Sequence, residues 1–237
     1  MTDAAEAFLS ATGPMVIVNL PSRADRRAEF AQQLARIGLG YDHPKVRLFQ
    51  AVRPDDAGGF PSIGARGCFL SHLGIYAETG DSVLICEDDL DFVPDFLARV
   101  SGVTEALAKQ DWDFFYGGYG EPPEGDPVAP GLVRLPPDYG PSCTHFYAVR
   151  GRALERLVPY LKAMMARPSG HDDGGPMHVD GALAWFRRAH PEYVTLAAVP
   201  ELGVQRPSRT DIHALRWFDR VPVIRDLAGL LRRARKG

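Results

Sequence analysis

Cysteine is scarce in this chain, with only Cys68, Cys86 and Cys143. Their number is odd and their spacing wide, which argues against a disulfide framework and against a zinc motif, and so points to a reducing compartment. Basic charge is not in excess either: 27 Lys and Arg face 30 Asp and Glu. A protein that tracks a phosphate backbone should show the opposite balance, so nucleic acid is not the expected partner. Long apolar runs are missing as well. No stretch reaches the roughly 18 apolar residues of a membrane span, and the opening MTDAAEAF has neither a basic leader nor an apolar core, so the cytoplasm is the expected location. What remains is ordinary for a globular domain: 237 residues, 45% of them hydrophobic, suffice for one α/β domain with a sizeable core.

The stretch around which the chain is organised is VLICEDDLDF, residues 83–92. Val83 to Cys86 form a short apolar run with two β-branched members, which predicts a strand buried on both faces. Glu87, Asp88, Asp89 and Asp91 then crowd four carboxylates where that strand emerges. Such crowding is unfavourable unless a cation or basic side chains offset it. Strand ends of this kind are where open α/β sheets hold ligands. Two readings stand: a site for Mg²⁺ or Mn²⁺ completed by a substrate phosphate, or an acidic turn that starts the next helix.

Residues 1–14 read as a tail or an appended helix, and Met15 to Asn19 as a first strand. Ser22 is placed to cap a helix, with Asp25 three residues on and Phe30, Leu34 and Ile37 along one face. Arg23, Arg26 and Arg27 fall in its first turn, where an anion is favoured; a solvated basic face is the other reading. Val46 to Val52 predicts a second strand. The segment GARGCFLSHLGIYAETG predicts a helix carrying Ser71 and His72, and another helix is expected from about Pro94 to Ala108. Alternating strands and helices signal a parallel sheet. Asp113 to Tyr116 reads as a strand, and residues 120–131 as a loop. Leu132 to Leu135 and His145 to Val149 read as a pair of strands, followed by a helix from Arg152 to Met165. In HDDGGPMHVDGALAWF, His171, Asp172 and Asp173 read as solvated, and Asp180 as an N-cap. Val194 to Val199 reads as the last strand. Residues 222–237 form an amphipathic pattern with five basic residues from Arg225 to Lys236, suited to a surface helix or to peripheral contact with an anionic membrane.

Taken in order, several of these segments resemble glycosyltransferase family 25, the family of lipopolysaccharide and collagen galactosyltransferases. VIVNLPSRADRR, GCFLSH, CEDDLDF, HFYAVRGRALERL, HVDGAL and Gln205 with Thr210-Asp211-Ile212 match its motifs over residues 15–213. The resemblance implies an α/β, single-domain GT-A type nucleotide-sugar fold over residues 15–221, with a mainly parallel central sheet flanked by helices. It also implies an inverting transfer of a hexose, usually galactose from UDP-galactose, to a hydroxyl. The chain departs from the family at Ala65-Arg66, where a carboxylate is usual.

Under this resemblance a divalent cation, Mn²⁺ or Mg²⁺, would be held by Asp89, with Asp91 and His213 assisting. Asp180 would be the base, Asp88 a further catalytic group able to assist the metal in place of Asp91, and Glu87 structural or facing the sugar. Asn19, Leu20, Arg26, Ser71, His72, Gln205 and Asp211 would bind the donor. The expected partners are a UDP-sugar and a glycan or lipid-linked acceptor such as lipopolysaccharide. Two alternatives keep their place: a nucleotide-sugar-binding protein without turnover, and a metal-dependent phosphohydrolase or nucleotidyltransferase.

Overall fold

A computed structural model of the chain describes residues 2–206. Its first element is a helix, α1 (Thr2–Thr12), and Ala5, Phe8 and Leu9 at helical spacing enter the core. The opening segment is therefore part of the packed body rather than a tail. After the left-handed Gly13 comes β1 (Met15–Asn19), buried along its whole length. Helix α2 (Ala24–Arg36) follows and buries Phe30 and Leu34 as its spacing predicts. Its cap differs from expectation: Arg23 holds the N-cap position and pairs with Asp25 at 2.8 Å, so Ser22 does not close a capping box.

The second strand, β2 (Val46–Gln50), stops two residues earlier than the alternation suggests. The reason is local, because the Val52 amide donates to Ser71 Oγ at 2.8 Å instead of to a neighbouring strand. Helix α3 (Ile63–Glu78) begins where Ser62 accepts from the Ala65 amide, a side-chain cap that satisfies one free N–H of the first turn. It delivers the chain into β3 (Ser82–Glu87), which is buried from Val83 to Cys86 as the apolar run predicts. A two-residue turn then gives β4 (Leu90–Phe92), followed by α4 (Phe96–Ala108) and β5 (Phe114–Tyr116).

The region read as a loop holds an edge strand, β6 (Asp126–Ala129), bulged at Pro127, which lacks a ladder N–H and so suits an edge. It pairs with β7 (Leu132–Leu135). The expected pairing of Leu132–Leu135 with the His145 segment does not form. Strand β8 (Phe146–Arg150) is fully buried from Phe146 to Val149 and takes β3 and β5 as neighbours, whereas β7 lies near the sheet edge. Helices α5 (Gly151–Ala166) and α6 (Val179–Ala189) lead to β9 (Thr195–Ala198), and β10 (Gly203–Gln205), absent from the sequence reading, pairs antiparallel with β4.

The eight-stranded sheet runs β2-β1-β3-β8-β5-β9-β7-β6. From the pairings, β2, β1, β3, β5, β9 and β6 point one way and β8 and β7 the other, so the sheet is mainly parallel in direction. Strand alternation splits the core in two. Ile17, Leu84 and Cys86 face α1, α2 and α4, while Val16, Val18, Val83 and Ile85 face α3, α5 and α6. Helix α2 leaves β1 on one face and α3 returns to β3 on the other. That reversal opens a crevice beyond the carboxyl ends of β1 and β3, the place where such sheets accept ligands.

Candidate functional site

A cavity of about 260 Å³ fills that crevice. Val18 and Leu20 line it from β1, Val52, Arg53 and Pro54 from the loop after β2, Cys68, Ser71 and His72 from α3, and Glu87, Asp88 and Asp89 from the end of β3. Arg23 and Arg26 close it from the start of α2.

The GCFLSH segment has a physical reason for each turn it takes. A side chain on Gly67 would put its Cβ 2.5 Å from the Val52 carbonyl oxygen, so only glycine lets the helix approach that loop so closely. Ser71 then pins the loop, accepting from the Val52 amide and donating to the Gly67 carbonyl at 2.6 Å. The next residue, His72, is fully buried, its ring parallel to that of Tyr147, and its Nδ1 shares a 2.6 Å hydrogen bond with the Tyr147 hydroxyl. Tyr147 in turn hydrogen-bonds Tyr76.

The crowded carboxylates are offset in three different ways. Asp88 is buried with both oxygens engaged, one by the Asn19 amide at 2.7 Å and the other by Arg26 Nη1 at 2.9 Å. Burial nevertheless pushes its carboxyl above the usual range, because removal from water disfavours the charge more than these partners favour it. Glu87 accepts from the Thr144 hydroxyl at 2.7 Å, and its Oε1 lies 3.6 Å from His72 Nε2. Burial pushes this group up too, but His72 and Thr144 outweigh it and hold the carboxyl below its ordinary value. Asp89 has less support: Arg26 and Gln205 approach its Oδ2 only to 3.5 Å, and its Oδ1 is buried without a hydrogen-bond partner among the described residues. Burial, with the charge of Glu87 second, pushes its carboxyl up to about 7.

The sequence-derived site residues divide accordingly. Asn19, Leu20, Arg26, Ser71, His72, Glu87, Asp88 and Asp89 come together around or against the cavity. Asp91 does not; its carboxylate is taken by Arg206 at 2.6 and 3.0 Å and points to the β4–β10 pair. Asp180 is not a helix cap, since His178 occupies that position. It lies in the first turn of α6, where a carboxylate is favoured by the helix dipole, and accepts from the Cys143 amide at 3.2 Å and the Gly181 amide at 2.8 Å; it is not part of the cavity lining, but its charge acts on Cys68, which is. His171, Asp172 and Asp173 are exposed as read, and Arg27 faces solvent. Asp211, His213 and residues 222–237 lie outside the described residues.

Sequence alone assigns Cys68, Thr144 and Tyr147 no site role. Cys68 lies inside the GCFLSH motif, and the other two carry no local signal, because they meet Glu87 and His72 from 57 and 75 residues away.

A hard divalent cation fits this arrangement through one protein ligand. Asp89 Oδ1 is the open oxygen at the cavity, while both oxygens of Asp88 are engaged and Asp91, held through Oδ1 by Arg206, lies outside the lining. That is the pattern of a cation that relies on substrate phosphates for most of its shell. Arg26 provides a permanent positive charge at the same place.

No family model matches the chain. A "Glycosyltransferase 25 family member" from Anopheles gambiae is 32% identical over 123 residues, which cover 43% of this chain and 21% of that relative. Among solved structures, a glycosyltransferase involved in the glycosylation of the major capsid of PBCV-1 superposes with a TM-score of 0.47 at 9% identity, covering 92% of this chain and 98% of its own. A putative glucose-1-phosphate thymidylyltransferase from Bacillus anthracis reaches 0.38 at 11% identity, covering 80% and 70%. Neither superposition bears on activity. No described helix is long and apolar enough to cross a membrane. The resemblance to glycosyltransferase family 25 read from the ordered motifs is thus met by sequence identity to a protein that carries that family's name.

Proposed function

We propose that the protein transfers a hexose, galactose by the family resemblance, from a UDP-sugar to a hydroxyl of a surface glycan such as lipopolysaccharide, with inversion. The observation that carries this reading is the cavity itself: two arginines, Arg23 and Arg26, and three acidic residues line one space of about 260 Å³ at the sheet's switch point, with Arg26 held against Asp88. The guanidinium groups suit a diphosphate. The carboxylates beside them suit sugar hydroxyls or a cation shared with the phosphates.

In the proposed reaction the acceptor oxygen attacks the anomeric carbon from the face opposite the diphosphate. The bond from carbon to the phosphate oxygen breaks, its electron pair stays on UDP, and the acceptor's proton passes to a carboxylate. Arg26, fixed by Asp88, would stabilise the charge that grows on the leaving group without rearranging at that moment. A divalent cation at Asp89 would add Lewis-acid stabilisation of the same oxygens. Asp180 remains the proposed base. Ala65 is packed in the core and Arg66 pairs with Asp56, so neither side chain lines the cavity. Membrane contact through residues 222–237 belongs to the same proposal, and loss of those residues with unchanged liposome binding would dismiss it.

Calorimetric titration of UDP and a panel of UDP-sugars, with and without Mn²⁺, tests the reading on the wild type and on Asp89→Asn. Binding that prefers one UDP-hexose and is lost in the variant supports it. A folded protein that binds no UDP compound overturns it.

A further inference from the structure

We infer that the floor of the cavity is a binding site for a zinc-type divalent cation, ligated by Cys68, His72 and Glu87 and open on the cavity side to a fourth ligand. One ligand atom from each of these residues lies within 4.8 Å of the other two. Cys68 and His72 stand four apart on α3, so both project from one helical face toward Glu87 at the end of β3. The sequence spacing gave no zinc motif because the third ligand comes from a different element.

The imidazole carries the argument. His72 is fully buried, and its Nε2 has no hydrogen-bond partner among the described residues. A buried nitrogen left in that state is unfavourable. It faces Glu87 Oε1 at 3.6 Å, too far for a hydrogen bond. In a tetrahedral zinc site the ligand atoms lie about 3.4–3.6 Å apart, as follows from metal–ligand bonds of about 2.0–2.3 Å. The separation that fails as a hydrogen bond therefore fits one edge of a metal tetrahedron.

The surroundings fit as well. A metal-binding histidine usually has its other ring nitrogen fixed by an acceptor, and His72 Nδ1 has the Tyr147 hydroxyl at 2.6 Å. Thr144 holds the Glu87 carboxylate in place. Cys68, His72 and Glu87 all line the cavity, which leaves a side from which a cation and a fourth ligand can enter. A thiolate, an imidazole and a carboxylate select zinc over Mg²⁺ or Mn²⁺, so this site is chemically distinct from the oxygen of Asp89. On loading, Cys68 gives up its proton to solvent and its sulfur binds as thiolate. The inference does not depend on the transfer reaction.

The test uses the full chain, reduced and stripped of metal with a chelator, in two measurements. Titration with Zn²⁺ alone should show one equivalent bound. Titration with Co²⁺ should give the near-ultraviolet charge-transfer band of a cobalt–thiolate bond. Cys68→Ser should abolish that band and weaken Zn²⁺ binding at least about tenfold, and Glu87→Gln should weaken it similarly. Tyr147→Phe, which keeps all three ligands but frees the His72 ring, should weaken it about 10–100-fold. Asp89→Asn should leave Zn²⁺ binding within a few-fold of wild type. The inference fails if the folded wild type binds no zinc, if Co²⁺ shows no thiolate band, if Cys68→Ser binds as the wild type does, or if Asp89→Asn loses as much as Cys68→Ser. Should Cys68→Ser not fold, the wild-type cobalt spectrum still decides.

Discussion

Arg26 Nη1 donates to Asp88 Oδ1 at 2.9 Å, and the same nitrogen lies 3.5 Å from Asp89 Oδ2. Side chains of α2 and of the β3 end, more than sixty positions apart in the chain, are thereby joined inside the cavity wall. Asp88 is spent on this contact and on Asn19, which leaves Asp89 as the carboxylate with an oxygen to offer.

Replacing Arg26 with methionine should leave two buried acids without their cation. Removing one partner of a buried ion pair costs about 3–5 kcal/mol. Urea unfolding at pH 8 should show a loss of that order, and much less at pH 4, where protonation relieves the unpaired charge. A loss under about 1 kcal/mol at pH 8 would mean that water already screens the pair.

Asp89 should set a pH dependence of the ligand-free protein. Its folded pKa of about 7 stands above that of the unfolded chain, because burial favours the protonated form. A group with a raised pKa contributes its full stability below the unfolded value, near pH 4, and loses it as pH rises through about 7. Asp89→Asn removes that loss. The variant should match the wild type at pH 4 and melt higher at pH 8, where a gain of about 1 kcal/mol moves Tm by roughly 2–4 °C in a chain of this size. Donor binding should vanish in the same variant. Equal melting curves at both pH values would contradict the assignment.

Two glycines should respond oppositely to alanine. At Gly67 the new Cβ would lie 2.5 Å from the Val52 carbonyl, a backbone atom that cannot swing away, so Gly67→Ala should cost about 1–3 kcal/mol and weaken UDP binding as the 51–54 wall shifts. At Gly102, within α4, nothing lies within 4 Å, and Gly102→Ala should stabilise by about 0.5–1 kcal/mol through helix propensity. Differential scanning calorimetry of both variants reads the contrast directly.

Asp180→Asn separates chemistry from binding. If Asp180 takes the acceptor's proton, the turnover number should fall by about 10²–10⁴ with the donor Kd unchanged. Unaltered transfer would assign Asp180 solely to holding the Cys143 amide, where the chain turns through a left-handed conformation.

The α/β architecture was legible because its signals are local. The apolar run at 83–86 made a buried strand, Phe30 and Leu34 marked the inner face of α2, and the acids at 87–89 fell at a strand end beside a crevice. Each follows from a side-chain period of two or of about 3.6 residues, which the chain carries in itself. Tertiary structure alone decided the rest. It gave β8 two neighbours on the inside and left β7 near the edge, paired β10 with β4 so that Arg206 took Asp91 out of the cavity, and set His72 between Tyr147 and Glu87. These outcomes depend on which distant groups are brought together and shielded from water. No local period encodes the partner of a buried charge, because its energy depends on the burial and the neighbours that only the folded chain supplies.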